Sequence, residues 1–315
     1  MFQIFNFKNV VDFMGLRRIF GLLSTALVIA SFILVGVRGL NMGLDFSGGT
    51  LVELEFSTTA NTNQVRDTLT ANGFSNVTVQ NYGSSREILV RLPPLEGTSA
   101  QTLNDKISTV LKAEIDQNVL IKRTEFVGPA VGKELMESAI LAMLIALLCI
   151  LIYVGMRFEW RLATGAVIAL FHDVSLIFGF YALTQMEFNL TTVAGVLSVI
   201  GYSLNDTIVV FDRIRENFSK IRQETEITIA NISLTQTFSR TVITSLTTLI
   251  VLIALYCVGG ELLATFSASL IVGVVIGTYS SIYIASSAAL RFGLTRESLI
   301  PEAIEKEGAD QESLL

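Results

Sequence analysis

Long apolar runs and one long polar stretch divide the chain. Six runs are apolar enough, and long enough, to cross a bilayer core of about 30 Å as helices. They lie at residues 19–37, 135–153, 162–183, 190–211, 242–258 and 264–290. The stretch between the first and second runs alternates polar and apolar positions over short distances. The pattern predicts a polytopic α-helical membrane protein with six transmembrane helices and one domain outside the membrane.

The polar stretch has the pattern of a small α+β domain. Period-two alternation predicts strands at residues 51–56, 76–82, 87–92 and 119–127. Helical periodicity predicts helices at residues 61–72 and 99–115. The order βαββαβ is that of the ferredoxin-like, split-βαβ arrangement. We therefore expect a ferredoxin-like extracytoplasmic domain between helices 1 and 2.

These patterns predict four regions. The N-terminal segment and transmembrane helix 1 occupy residues 1–40, and the ferredoxin-like domain occupies residues 41–132. Transmembrane helices 2–6 occupy residues 133–290, and an acidic tail occupies residues 291–315.

The basic residues predict the orientation in the membrane. If the spans alternate in direction, the basic residues near the span ends all fall on one side, and the opposite connections, residues 184–188 and 259–261, contain no Lys or Arg. The residues of the basic side are Lys8, Arg17, Arg18, Arg157, Arg161, Arg213, Arg215, Lys220, Arg222 and Arg291. The positive-inside rule places this side, with both termini, in the cytoplasm.

Composition excludes several classes of function. The chain is 51% hydrophobic with a net charge of −6, and it shows no basic face that would bind nucleic acid. Its two cysteines, Cys149 and Cys257, lie in apolar runs and form no metal-ligand spacing. His172 is the only histidine, so no multi-histidine metal site exists. We expect no metal, no cofactor and no disulfide framework.

Asp206 is an ionisable residue inside the fourth apolar run. It precedes Asp212, at the polar end of that run, by a distance of ~9 Å along a helix. A charge at such depth costs roughly 2.5–3.5 kcal/mol on insertion scales, and such residues usually face a bundle interior or a water path. Asn205 is adjacent, and small and polar residues recur on one stripe that should face protein: Thr191, Gly195, Ser198, Tyr202 and Asn205. Asp206 is either a protonation site or a structural polar residue.

Three further residues are candidates for the same chemistry. Arg240 opens the fifth span at a depth similar to that of Asp206; it is either a partner for that carboxylate or an interfacial anchor. His172 and Asp173 lie in the middle of the third span, where they form either a proton relay or a satisfied structural pair.

In the sixth span, Gly273 and Gly277 form a close-packing motif.

Several longer motifs together resemble one family. They are GLDFSGG at residues 43–49, VGPAVGKEL at 127–135, FHD at 171–173, GYSLNDTIVVFDRIREN at 201–217 and SRT at 239–241. In this combination the chain closely resembles bacterial SecF of the SecD/SecF family, in the resistance-nodulation-division superfamily. The resemblance covers nearly the whole chain, and the fourth-span motif is highly specific.

The resemblance implies a role in protein export. It implies a subunit of a SecD–SecF complex in the bacterial inner membrane that uses the proton motive force to assist export of preproteins through the SecYEG channel. SecD would supply six further spans, YajC would be an accessory partner, and protons would be the coupling ion. The family's proton route matches Asp206 and Arg240 here, with Asn205, His172 and Asp173 as supporting candidates. No enzymatic activity is implied.

Two alternatives stay open at this point. An intramembrane aspartyl protease would pair Asp173 with Asp206, although the Gly-x-Gly-Asp setting of such enzymes is missing because Asp206 follows Ser-Leu-Asn. A non-conducting scaffold of the translocase would use Asp206 only as a structural residue.

Overall fold

A computed structural model describes residues 9–82, 84–94 and 100–299 of the chain. Most of the predicted acidic tail, residues 300–315, therefore lies outside the described residues.

The helices and strands follow one another in this order. First come a 3-10 turn Met14–Leu16, α1 Arg17–Arg38, α2 Leu44–Ser47, β1 Gly49–Glu55, α3 Thr62–Ala71, β2 Thr78–Tyr82, β3 Ser84–Leu92, α4 Ala100–Glu114 and β4 Leu120–Val127. Then come α5 Pro129–Arg157, α6 Trp160–Thr184, α7 Leu190–Lys220, α8 Glu226–Val258, α9 Gly260–Ser280, a π-helical turn Ser281–Ala285, α10 Ser286–Arg291 and α11 Arg296–Leu299. Within the described residues, six helices are long and apolar enough to cross a membrane: α1, α5, α6, α7, α8 and the continuous α9–α10 helix.

The membrane helices are longer than the apolar runs that predicted them. Helix α7 continues to Lys220 rather than ending near residue 211, and α8 begins at Glu226 rather than near residue 242. Their polar extensions pack against each other, because Asn217 Nδ2 donates to Ser233 Oγ at 2.8 Å and to Gln236 Oε1 at 2.9 Å. Apolar runs mark the membrane-embedded part of a helix, not its ends.

The α+β domain, residues 49–127, consists of one sheet with two helices. The strand order is β2-β3-β1-β4, and every neighbouring pair is antiparallel. Helix α3 begins where Asn61 Oδ1 accepts from the backbone N–H of Asn63 at 3.0 Å, a typical N-cap. Alternate strand positions and the inner faces of α3 and α4 share one core, which includes Val52, Leu54 and Ile107.

Three helices form the centre of the membrane bundle and three surround it. In α6, α7 and the α9–α10 helix, 56% of the most apolar 18-residue segment is buried inside the protein. The corresponding share is 11% in α1 and α5 and 17% in α8. The close-packing motif of the last helix lies against α7: a Cβ built on Gly273 would lie 2.2 Å from a methyl carbon of Val199, and one on Gly277 would lie 3.0 Å from Ser203 Cβ. Helices α7 and α9 are thus in near backbone contact.

Long-range hydrogen bonds fix the N-terminal segment to the end of the bundle. The Ser24 and Tyr279 hydroxyls lie 2.7 Å apart, and the Tyr279 hydroxyl also donates to the Phe20 carbonyl at 3.0 Å. The backbone N–H of Met14 donates to Asn231 Oδ1 at 2.9 Å. Residues from α8 and α9 therefore hold the start of α1, and further along the helix Ser31 packs against Gly179 of α6.

The α+β domain joins the bundle at the start of α7. Arg91, on β3, forms an ion pair with Glu187 at 3.2 Å and donates to the Met42 carbonyl at 2.6 Å. Asp45, on α2, accepts at 2.9 Å from the backbone N–H of Leu190, the first residue of α7. The sheet and the helix that carries Asp206 are therefore linked through the residues that precede α7 and through α2.

Candidate functional site

Helix α7 places Asp206 inside the bundle. The residue is only 3% exposed, and the neighbouring Ser203 and Thr207 are each 2% exposed. Asn205, although adjacent in sequence, is turned ~100° around the helix axis and is exposed. The structure therefore separates these two candidates: Asp206 belongs to the buried site, and Asn205 does not contact it through the bundle interior.

Asp206 has an oxygen without a partner. Its Oδ2 is buried and forms no hydrogen bond with any described residue, and the same holds for the Tyr202 hydroxyl and the Thr241 hydroxyl. Buried polar atoms are normally satisfied by protein or by ordered water. Because this carboxylate oxygen has no protein donor, a proton can bind to it without displacing a protein hydrogen bond.

Arg240 lies near the level of Asp206 but does not form a salt bridge with it. Contacts of Asn217 with Ser233 and Gln236 fix the antiparallel alignment of α7 and α8. Counting from those contacts along both helices places Arg240 between one and two turns, roughly 6–10 Å, from the level of Asp206. The guanidinium attracts the Asp206 carboxylate electrostatically. No described cation lies within 4.0 Å of that carboxylate, and Arg240 itself is exposed.

His172 and Asp173 lie together in a buried hydrogen-bond network. His172 Nδ1 and Asp173 Oδ1 are 2.9 Å apart, and Asp173 is fully buried. Asp173 Oδ2 accepts from Ser203 Oγ at 2.5 Å and from Ser280 Oγ at 2.8 Å. The carboxylate thus connects α6, α7 and α9. Ser203 and Ser280 were not predicted as site residues, because the sequence gives no sign that they face the same carboxylate.

The two buried aspartates have different surroundings and therefore different chemistry. Asp173 has hydrogen-bond partners on both oxygens, whereas Asp206 keeps one oxygen without a partner. Aspartyl proteases need two carboxylates that share one proton. Among the described contacts, Asp173 and Asp206 form no hydrogen bond with each other, and His172, Ser203 and Ser280 occupy the oxygens of Asp173. This geometry does not support the protease alternative.

The connection between α6 and α7, residues 185–189, contains a titratable group outside the membrane helices, Glu187. Burial raises the pKa of Glu187 above its ordinary 4.5, and the Arg91 guanidinium opposes that shift. The two side chains are only 23% and 18% exposed, so the pair is partly removed from water. Protonation of Glu187 would weaken its attraction to Arg91 at the point where the sheet meets α7.

Comparison with known families identifies matching models over most of the chain. A model described as "SecD/SecF GG Motif" matches residues 33–60. A second, described as "Protein export membrane protein SecD/SecF, C-terminal", matches residues 107–295. The second match includes every residue of the buried site.

Similar proteins of established name match over their full length. A protein translocase subunit SecF from Vibrio alginolyticus is 49% identical over 310 residues, which is 98% of each chain. The SecF of Escherichia coli O157:H7 is 51% identical over 315 residues, covering 99% of this chain and 97% of the other. These names are those of translocase subunits, not of enzymes.

A solved structure has the same fold. The crystal structure of SecDF from Thermus thermophilus, described as a translocon-associated membrane protein, superposes with a TM-score of 0.83 at 36% identity. The match covers 92% of this chain but 39% of that longer chain. With its six apolar helices, the protein is a multi-pass membrane protein. The chain belongs to the SecF family of protein translocase subunits, within the SecD/SecF protein export membrane proteins.

Proposed function

We propose that this chain is the SecF subunit of a SecD–SecF complex that uses the proton motive force to assist protein export through the SecYEG channel. The observation that carries the proposal is the buried Asp206 carboxylate, which has an unpartnered oxygen and one cation, Arg240, in electrostatic range. Protons are the coupling ion, translocating preproteins are the substrates, and YajC is an accessory partner.

Protonation of Asp206 is the switching event. It removes a charge from the bundle interior and abolishes the attraction between Asp206 and Arg240. Asp45 accepts a hydrogen bond from Leu190, the first residue of α7, and the Arg91–Glu187 ion pair lies just before that residue in the chain. Through these contacts, movement of α7 is transmitted to the α+β domain. Each proton that crosses 100 mV supplies about 2.3 kcal/mol. That energy is sufficient to bias a two-state domain motion. Asp173 and His172 act as the fixed support of α7.

Substitution of Asp206 tests this mechanism. Asp206→Asn keeps size and hydrogen bonding but cannot titrate, so it should assemble normally and lose the stimulation of export by a proton gradient. Asp206→Glu should keep partial activity with a shifted pH dependence, and Arg240→Lys should be intermediate because the charge survives without the planar fork. The measurement is export into inverted vesicles after the ATP-driven stage, with and without an imposed gradient.

Asp212→Asn is the matched control. Asp212 lies on the same helix but pairs with Arg157 at 2.8 Å and has a side chain 36% exposed, so its loss should leave the stimulation intact. If Asp206→Asn exported as well as wild type with the gradient applied, the non-conducting scaffold would be the better account.

SecD is the proposed partner for an uncovered face of α7. Ala194, Ser198, Gly201 and Asn205 form an exposed stripe of small and polar groups along this helix, and polar groups at membrane depth normally face protein. A Cβ at Gly201 meets no atom within 4 Å, so the face is open. Gly201→Leu should prevent co-purification of SecD. Gly155→Leu, at an equally open position on α5, should not. Equal recovery of SecD with both variants would exclude this face as the contact.

The proposed location is the bacterial inner membrane, with both termini in the cytoplasm and residues 41–132 in the periplasm. The asymmetry of basic residues supports this orientation. In a background without Cys149 and Cys257, cysteines at the exposed positions Asn81 or Ser84 should react with an impermeant thiol reagent in cells with a permeabilised outer membrane. A cysteine at Lys220 should not, and its labelling would reverse the orientation.

The proposed regions are those predicted from the sequence, with a ferredoxin-like domain at residues 41–132. The antiparallel order β2-β3-β1-β4, with α3 and α4 as the two crossing helices, supports the ferredoxin-like assignment. Residues 1–40 hold the first membrane helix, residues 133–290 hold the other five, and residues 291–315 form the acidic tail.

A further inference from the structure

A large groove runs along α1 at the end of the bundle that carries the basic residues. Its volume is about 1220 Å³, above the roughly 300–1,000 Å³ of ordinary small-molecule pockets. Helix α1 forms one wall, and α6 and α10 with their neighbouring turns form the other. The groove is separate from Asp206, although His172 reaches its inner end.

The mouth of the groove is positively charged. Arg17, Arg18 and Arg291 line it together with a single carboxylate, that of Glu226. None of these three arginine side chains forms an ion pair or a hydrogen bond with a described residue. The mouth therefore offers a net charge of about +2 to an anion at the membrane surface.

The body of the groove is apolar and open to the side. Leu22, Ile29 and Phe171 line it, and they are 74%, 54% and 59% exposed on the bundle surface that faces hydrocarbon. From Arg17 to Ile29 the wall extends ~18 Å along α1. That length is close to the ~15 Å thickness of one leaflet's hydrocarbon plus part of the headgroup layer.

The geometry points to a binding site for an anionic diacyl phospholipid of the leaflet at this end of the bundle. The phosphate lies between Arg17, Arg18 and Arg291, and the acyl chains lie along α1 toward Phe171. If both termini are cytoplasmic, as proposed, this is the cytoplasmic leaflet. A zwitterionic lipid would fill the apolar part equally well but would gain less from the charged mouth.

Phosphatidylglycerol and phosphatidylcholine with the same acyl chains test the proposal. The full-length chain, purified in detergent, is mixed with each lipid, and bound lipid is counted by native mass spectrometry. We expect retention of phosphatidylglycerol and little retention of phosphatidylcholine. Arg18→Gln should weaken phosphatidylglycerol binding about five-fold, which corresponds to ~1 kcal/mol per basic residue near an anionic surface. Arg222→Gln, another exposed arginine without a described partner, should have no effect.

A steric pair of variants separates this groove from general charge effects. A Cβ on Gly21, which lines the groove, meets no atom within 4 Å, so Gly21→Leu fills the groove without disturbing the helix. It should remove retention of phosphatidylglycerol. Gly36→Leu, equally free of neighbours on the same helix but outside the groove, should not. Equal binding by these two variants, or equal retention of the two lipids, would overturn the proposal.

Two further outcomes would assign the groove to something else. Displacement of phosphatidylglycerol by an equal concentration of inorganic phosphate would mean that the site recognises a free anion. A photoreactive residue at the exposed position Thr25 should cross-link to phosphatidylglycerol in native membranes. Cross-linking instead to the acidic residues 300–315 or to a partner protein would show that this segment or protein, and not a lipid, occupies the groove. That result would also overturn the proposal.

Discussion

Asp173 and Asp206 lie on neighbouring helices of one bundle, yet their hydrogen-bond partners make them different groups. Donors from three residues solvate the Asp173 carboxylate. Such a network holds helices together, because each donor removed leaves a buried acceptor unsatisfied. Asp206 has no such solvation on Oδ2 and can change its protonation state without breaking that network.

Removal of one donor should reveal the structural role of Asp173. Ser280→Ala deletes the hydroxyl that donates to Asp173 Oδ2 at 2.8 Å, and it should lower stability by roughly 1–3 kcal/mol. The measurement is thermal unfolding of the purified chain in detergent. Ser267→Ala is the control, because this buried hydroxyl on the same helix has no described partner and its loss should cost little. Equal destabilisation by the two variants would contradict the assigned role.

At the scale of elements, α7 and α9 pack closely in the bundle interior. Gly195, Gly273 and Gly277 each leave room for a side chain of the opposite helix. Helices that approach so closely exclude larger residues and move as a unit. The last membrane helix therefore packs closely against the part of α7 from Gly195 to Ser203, just before Asp206.

A double substitution tests this packing. Gly273→Ala places a methyl group 2.2 Å from a Val199 methyl carbon, and overpacking of this kind typically costs about 1–3 kcal/mol. Val199→Ala in the same chain should recover much of that loss, so the double-mutant cycle should show strong coupling. Gly155→Ala, at an open position, should be neutral in the same unfolding measurement. Additive effects of the two substitutions would show that the helices separate easily.

The α+β domain should depend on its own core. Leu103 is 4% exposed on the inner face of α4, so Leu103→Asp places an unpaired charge in that core and should unfold the domain. Limited proteolysis of the outer face of intact membranes should then cut within residues 41–132. Lys106→Asp, on the exposed face of the same helix, should leave the domain resistant. Resistance of both variants would refute the placement of α4.

Sequence patterns were sufficient for some of these elements and insufficient for others. Each apolar run predicted a membrane helix because an apolar segment of that length is long enough to cross the bilayer core as a helix. The polar ends of α7 and α8 were missed because Asn217, Ser233 and Gln236 stabilise one another only after the helices meet. The burial of Asp206 followed from its depth, whereas the donors to Asp173 depend on three helices coming together. A local sequence pattern does not show which side chains of different helices will contact one another.

At the scale of the whole molecule, the Arg91–Glu187 ion pair joins the α+β domain to the bundle. Burial is the larger influence on Glu187, and it raises the pKa of this carboxyl above 4.5 despite the Arg91 guanidinium. In the unfolded chain the carboxyl ionises at its ordinary pKa. The folded protein therefore binds more protons between the two pKa values, and folding stability falls as pH rises through that interval.

Glu187→Gln should remove this pH dependence. Relative to the variant, wild-type stability should be highest at or below pH 4.5, fall as pH rises to the raised pKa of Glu187, and then stay level. The measurement is the thermal midpoint of both proteins at a series of pH values. Arg91→Gln should extend the interval upward, because the cation that opposes the shift is lost. An identical pH profile for wild type and Glu187→Gln would exclude this coupling.

The hydrogen bonds of α1 have a consequence for biogenesis. This helix is synthesised before the other five, yet Asn231 and Tyr279, the partners of its first turns, are made more than two hundred residues later. During insertion α1 can pack on α6, where Ser31 meets Gly179, but its start lacks these hydrogen bonds until α8 and α9 arrive. A nascent chain that stops before α9 therefore leaves the start of its first helix unfixed. Completion of synthesis is thus the event that closes this end of the bundle, and prematurely ended chains offer membrane proteases a loosely held N-terminal segment.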